Sequence, residues 1–168
     1  MNIRLLNKTD AGAFQVIRLR SLQDHPEAFS ASWEEEQSRS TENIAAQLRN
    51  NPPNTYTFGA FTGDDLVGIV SLQRFGRSKV RHKAILGGMY VVPHARGSKI
   101  GAALLDAALQ QARSLDGIQD ISLAVTVGNE VARSLYIAAG FVPWGIEPRY
   151  INVDGQFFDI EWMLLHLP

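Results

Sequence analysis

Apolar and polar residues alternate over 2–6, the mark of a short strand. Thr9 or Asp10 can then cap a helix, and Phe14, Ile17 and Leu22 follow at helical spacing until His25-Pro26 stops the run. A loop with Phe29 and Trp33 leads into an acidic run, Glu34, Glu35 and Glu36. Ser40, Thr41, Glu42 and Asn43 open a second helix with Ile44 and Leu48 on one face, and Asn50-Asn51-Pro52-Pro53 ends it. Residues 55–61 and 66–74 read as strands around the turn Thr62-Gly63-Asp64-Asp65, with 79–92 as a third, longer strand of the same meander. A helix over 97–115 carries Ile100, Ala103, Leu104, Ala107, Ala108 and Leu115 on one side and Asp106, Gln110 and Arg113 on the other. Residues 118–127 form an apolar strand. Asn129 caps a helix that Gly140 ends. Residues 141–147 and 156–167 are the last two strands, the second preceded by the turn Val153-Asp154-Gly155.

The predicted order is β-α-α-β-β-β-α-β-α-β-β. Strand, helix and strand across residues 85–127 imply a parallel pair joined by a right-handed crossover. The remaining pairs are antiparallel. The pattern is a mixed α+β domain over residues 1–168, not a doubly wound sheet.

The strand end at Met89, Tyr90, Val91 and Val92 meets a proline, a short loop with Arg96 and Gly97, and then a helix start. Such a corner leaves backbone N–H groups unpaired at the positive end of a helix dipole. It is an anion site, with phosphate the usual anion, and Arg96 and Lys99 add formal charge. Gly87-Gly88 inside the strand is costly unless the backbone bulges or something approaches it closely.

Composition narrows the partners. The net charge is −1 over 168 residues, so no global basic field attracts nucleic acid or a membrane surface. The absence of Cys excludes disulfide scaffolds, thiolate catalysis and Cys-ligated zinc, and fits a cytoplasmic protein. No apolar run approaches the ~20 residues of a membrane span. Met1-Asn2-Ile3-Arg4 lacks the basic-then-apolar layout of a signal peptide. Neither G-x-x-x-x-G-K-[ST] nor an early G-x-G-x-x-G is present, which argues against a nucleotide phosphate-binding domain.

With this element order, Arg96-Gly97-Ser98-Lys99-Ile100-Gly101 resembles the phosphate loop Gln/Arg-x-x-Gly-x-Gly/Ala of the GCN5-related N-acetyltransferase superfamily, with Lys99 in place of the middle glycine. Asn129-x-x-Ala132-x-x-Leu135-Tyr136-x-x-x-Gly140-Phe141 resembles the family's second element. The resemblance covers nearly the whole chain. It implies a mostly antiparallel twisted sheet of about seven strands, one parallel pair splayed apart and helices on both faces. It also implies acetyl-CoA as co-substrate, direct transfer of acetyl to a primary amine of a small molecule or protein, and no metal. Met89, Tyr90 and Val91 would line the pantetheine arm, opposite Ala124, Val125 and Thr126. Residues 96–101 would hold the pyrophosphate. Asn129 and Arg133 would contact the coenzyme. Tyr136 would protonate the departing thiolate, and the backbone near Tyr90 or Val91 would polarise the carbonyl. Read alone, Tyr136 is as readily a core residue, and Asn129 a plain helix cap.

Many family members carry a basic Glu on the strand before the phosphate loop. Residues 85–91 offer none, so Glu34 and Glu35 become the candidate bases, with Asp159 and Glu161 behind them. The resemblance makes Phe29, Trp33 and Glu161 acceptor-side residues, the glutamates attracting a cation such as a polyamine. The plainer alternatives are a solvated acidic turn and two aromatics plugging the core under a loop. Tyr150, Phe157, Phe158 and Trp162 complete the acceptor pocket or form a homodimer face. The missing strand base and Lys99 also leave open a non-catalytic acyl-CoA-binding module.

Overall fold

The computed structural model describes residues 1–50 and 54–168. The strands are β1 (Asn2–Leu5), β2 (Thr55–Thr62), β3 (Asp65–Arg74), β4 (Lys83–Val91), β5 (Asp120–Thr126), β6 (Val142–Val153) and β7 (Gln156–His166). The helices are α1 (Ala11–Asp24), α2 (Trp33–Gln37), α3 (Thr41–Asn50), α4 (Ile100–Ser114) and α5 (Glu130–Ala138). One seven-stranded sheet runs β1-β2-β3-β4-β5-β7-β6. Its parallel pair is β4–β5, and the other pairs are antiparallel. This is the mixed topology that the sequence pattern predicts.

Helices cover both faces of the sheet. A Cβ on Gly68 of β3 would sit 2.9 Å from Leu104 of α4, so a glycine is what lets that helix press onto the strand. Leu104, Ala108 and Ala112 are fully buried there. Strand alternation turns Ile69 and Ser71 to the opposite face, where they meet Phe14 and Arg18 of α1 in a cleft. Truncating Leu104 to Ala would cost about 2–5 kcal/mol through lost burial and the cavity left behind.

Several details differ from the sequence reading, each for a local reason. Asn7, not Thr9 or Asp10, provides the first side-chain cap. It accepts from Thr9 N–H at 2.9 Å, while the Asp10 carboxylate accepts from Asn7 N–H and from Arg4, each at 2.8 Å. The acidic run forms a helix of its own, α2, because Ser32 and Glu35 build a capping box across its first turn. β4 starts at Lys83, since Ser78–Val80 is a 3-10 turn. β6 runs on past Pro148 to Val153. It is an edge strand, and its register with β7 slips between Glu147 and Ile151, which accommodates the proline. The expected stop at Asn51-Pro52-Pro53 lies outside the described residues. Among those residues no helix is long and apolar enough to cross a membrane.

Candidate active site

After Val92 the chain makes one 3-10 turn, Pro93–Ala95, closed by the Ser98 hydroxyl donating to the Ala95 carbonyl at 2.7 Å. Gly97 then has φ +80, and Lys99 is left-handed at φ 61 and ψ 13. Glycine suits that backbone best, so the lysine there costs about 1 kcal/mol. The Ala103 N–H donates to the Lys99 carbonyl at 3.0 Å, and the N–H groups of Ile100, Gly101 and Ala102 lie outside the helix ladder. With the dipole of α4 behind them they form the expected anion corner.

The Arg96 side chain turns away from this corner. Its Nε donates to the Val91 carbonyl at 2.9 Å and its Nη2 to His25 Nε2 at 3.1 Å, with Tyr90 beneath the guanidinium. Arg96 braces the strand end against the end of α1. The Tyr90 hydroxyl likewise leaves the gap and donates to Asp24 at 2.5 Å. Burial, reinforced by that bond, pushes the Tyr90 phenol up to about 12.

β4 and β5 pair only over Lys83–Ile85 and Asp120–Ser122. Farther on the strands part. On its other edge β4 pairs Ser71 with Gly87 but Ile69 with Tyr90, so Gly88 and Met89 both oppose Val70. This is a bulge, with Gly88 at φ +62. Val92 N–H donates to the Val67 carbonyl at 3.0 Å. Alternation therefore turns the Val91 backbone away from β3, so that its N–H faces the gap while its C=O accepts from Arg96. The cleft has a volume of about 430 Å³. Gly88, Met89, Ala124, Val125 and Thr126 line its middle.

Asn129 caps α5 by accepting from Ala132 N–H at 3.2 Å, and it lines the same cleft. Two turns on, Tyr136 is buried, packs edge-on against Phe141 and places its hydroxyl 3.6 Å from the Met89 sulfur beside the bulge. Burial raises its pKa to about 12. The side chain is therefore a neutral phenol that keeps its proton at any ordinary pH.

At the opposite end the cleft is walled by Arg18, Phe29, Glu36, Arg39, Tyr150 and Trp162. The expected bases Glu34 and Glu35 are not there. Glu35 accepts from Ser32 N–H at 2.9 Å in the capping box, and Glu34 lies with Trp33 along a neighbouring groove. Glu36 is the member of the acidic run that reaches the cleft, paired with Arg39 at 3.1 Å. Glu161 is bound to Arg133 at 2.7 Å, which joins an expected acceptor residue to an expected coenzyme residue. Among the described residues no group of three His, Asp or Glu is placed to hold a metal.

The description "Acetyltransferase (GNAT) family" matches residues 19–141 of the chain. The chain belongs to this acetyltransferase family. An N-alpha-acetyltransferase RimI from Mycobacterium tuberculosis (strain ATCC 25618 / H37Rv) is 33% identical over 103 residues, 61% of this chain and 62% of that protein. The chain spans 56–62% of the length of the curated relatives it matches. An acetyltransferase of the GNAT family from Streptococcus pneumoniae superposes with a TM-score of 0.88 at 24% identity, over 99% of each chain. A GNAT superfamily phosphinothricin acetyltransferase from Sinorhizobium meliloti, in complex with AcCoA, superposes at 0.82 and 21% identity, over 99% of this chain and 88% of that one.

Of the residues expected to meet the coenzyme, Met89, Asn129 and Tyr136 line the cleft, while residues 97–101 form the corner at the start of α4. The cleft also carries Arg18 and Arg39, which the sequence reading did not name. Arg18 had a signal. It falls between Phe14 and Leu22 at four-residue spacing, a charge set in the inward stripe of α1.

Proposed function

We propose that the protein is an acetyl-CoA-dependent N-acetyltransferase that moves acetyl directly to a primary amine of a small molecule or a protein. The observation that carries this reading is the splayed gap between β4 and β5, which has the Val91 backbone on its edge and the Tyr136 hydroxyl beside Met89 in the adjoining cleft. The corner suits a pyrophosphate, taken by N–H groups of residues 97–102 with Lys99 beside them. The open edge of β4 at Met89 and Val91 suits the amides of the pantetheine arm.

The Val91 N–H donates to the thioester oxygen as negative charge builds on it. The unprotonated amine attacks the carbonyl carbon from the acceptor end. The C–N bond forms and the C–S bond breaks. Tyr136 gives its proton to the sulfur and regains one from solvent. The ammonium gives up one proton before attack and the nitrogen a second as the C–N bond forms, both to water in the open cleft, since Glu34 and Glu35 face elsewhere. The products are an amide and the free thiol of coenzyme A. Thiol release from acetyl-CoA over an amine panel tests the reading. Coenzyme binding with no release from any amine would instead support a non-catalytic acyl-CoA-binding module.

A further inference from the structure

We infer that Arg18 is the acceptor-recognition residue of the cleft, taking a carboxylate or related oxyanion carried by the amine substrate. The acceptor class is then an amino acid or aminophosphonate rather than a polyamine. The inference rests on the acetyl-transfer reading above and names the substrate of that same site.

Arg18 lines the cleft from the middle of α1. Among the described residues its Nη1 is buried and has no hydrogen-bond partner. A buried guanidinium donor left unpaired is costly, and arginine cannot escape by losing its proton. Its burial disfavours the charged form, an effect only partly offset by Glu36. Its guanidinium lies over the Phe29 ring, 5.1 Å from the centroid, which is an apolar neighbour that takes none of its N–H donors. The neighbouring charges are engaged with each other: Arg39 bonds Glu36 at 3.1 Å and the Gln47 oxygen at 2.5 Å. Arg18, Arg39 and Glu36 leave one net positive charge at this end. That end repels a polyamine and suits an oxyanion, which a guanidinium fork grips through two parallel bonds. Tyr150 and Trp162 on the facing wall offer apolar surface for the rest of the substrate. The expectation from the acidic run is thereby reversed, because Glu34 and Glu35 do not line the cleft and Glu36, which does, is paired with Arg39.

The test is thiol release with matched acceptors: leucine against 3-methylbutylamine, methionine against 3-(methylthio)propylamine, and 2-aminoethylphosphonate against ethylamine. The wild-type protein should prefer the anionic member by tenfold or more in kcat/KM. Preference among the carboxylates alone, or for the phosphonate alone, identifies which oxyanion is bound. Arg18→Met should raise KM for the anionic acceptors by roughly tenfold to a hundredfold. It should leave kcat, the acetyl-CoA Kd and the uncharged-body amines unchanged, and Arg18→Lys should recover part of the loss. An equal wild-type rate on both members of each pair overturns the inference, as does an Arg18→Met loss that is the same for both. Should no amine release thiol, the transfer reading fails. Arg18 is then judged by calorimetric titration of leucine and 2-aminoethylphosphonate into the coenzyme-saturated protein. Binding that Arg18→Met abolishes supports it, and no binding to the wild type overturns it.

Discussion

On the side of the cleft proposed for the coenzyme most of the groups are main-chain ones, namely the N–H groups at the start of α4, the open edge of β4 and the bulge at Gly88, with Tyr136 and Asn129 the side chains among them. On the acceptor side they are side chains brought from α1, α2, β6 and β7. A backbone site follows from turns and strand geometry, and tolerates substitution where the φ and ψ angles survive. A site of side chains depends on which residues the tertiary fold happens to bring together. The first is suited to a constant ligand and the second to a varied one. Lys99 illustrates the tolerance: it occupies the left-handed position that glycine favours, and the corner keeps its shape.

Tyr136→Phe should break the coenzyme side most. Loss of a general acid slows kcat by about a hundredfold, with the acetyl-CoA Kd unchanged. Steady-state rates and calorimetry separate the two, and an unchanged kcat would remove Tyr136 from the chemistry. The pH dependence has a definite sign. Burial holds the Tyr136 phenol at about 12, above its usual value of 10. The folded protein therefore keeps this proton where the unfolded chain has lost it, so stability falls as pH rises between those values and is untouched below them. Wild-type Tm should drop more steeply than that of Tyr136→Phe across this window.

The difference between the two sides also explains what the sequence could disclose. Gly87-Gly88, the proline after Val92, and Asn129 seven residues before Tyr136 are local signals, and each has a local structural cause. The element order and the parallel pair follow from such signals. Arg18 lies on α1 and Arg39 in the loop between α2 and α3, and nothing near either residue shows that Tyr150 of β6 and Trp162 of β7 line the same cleft. Glu34 and Glu35 stand out as an acidic run, and Ser32-x-x-Glu35 also carries the local capping-box pattern, but which carboxylate reaches the cleft depends on how α2 packs. The side chains of Tyr90 and Arg96 turn toward the end of α1 for tertiary reasons, through contacts with Asp24 and His25 that lie 66 and 71 residues away in sequence.

Gly88→Ala would sharpen the comparison next. A Cβ there meets nothing closer than Ser71 Oγ at 3.9 Å, so the penalty is backbone strain and not crowding. Forcing alanine to φ +62 costs about 1–2 kcal/mol. Relaxation of the bulge would shift the Val91 backbone and weaken acetyl-CoA by about tenfold, with KM for the amine little changed. A variant with unchanged coenzyme affinity would show that the bulge does not shape the gap.

Asn129 offers a finer cut, since one side chain serves the helix and faces the cleft. Asn129→Ala removes the cap and should cost about 1 kcal/mol of stability, read by thermal denaturation. Asn129→Ser keeps a cap but removes the amide. A several-fold rise in acetyl-CoA Kd for the serine variant at unchanged Tm marks a coenzyme contact, and no rise confines Asn129 to capping.

Lys99→Gly gives the smallest effect and tests whether the anion corner works through backbone alone. Glycine relieves the left-handed strain but adds freedom to the unfolded chain, so stability should change by less than about 1 kcal/mol. The N–H groups stay where they are, and only the side-chain charge is lost. Affinity for acetyl-CoA should then fall by about threefold at low ionic strength, and the gap should close in high salt, where exposed charges are screened. A salt-independent loss would mean that the lysine backbone geometry itself holds the phosphates. Tighter binding would mean that the side chain stands in their way, and the corner would then be a site that its own sequence has partly closed.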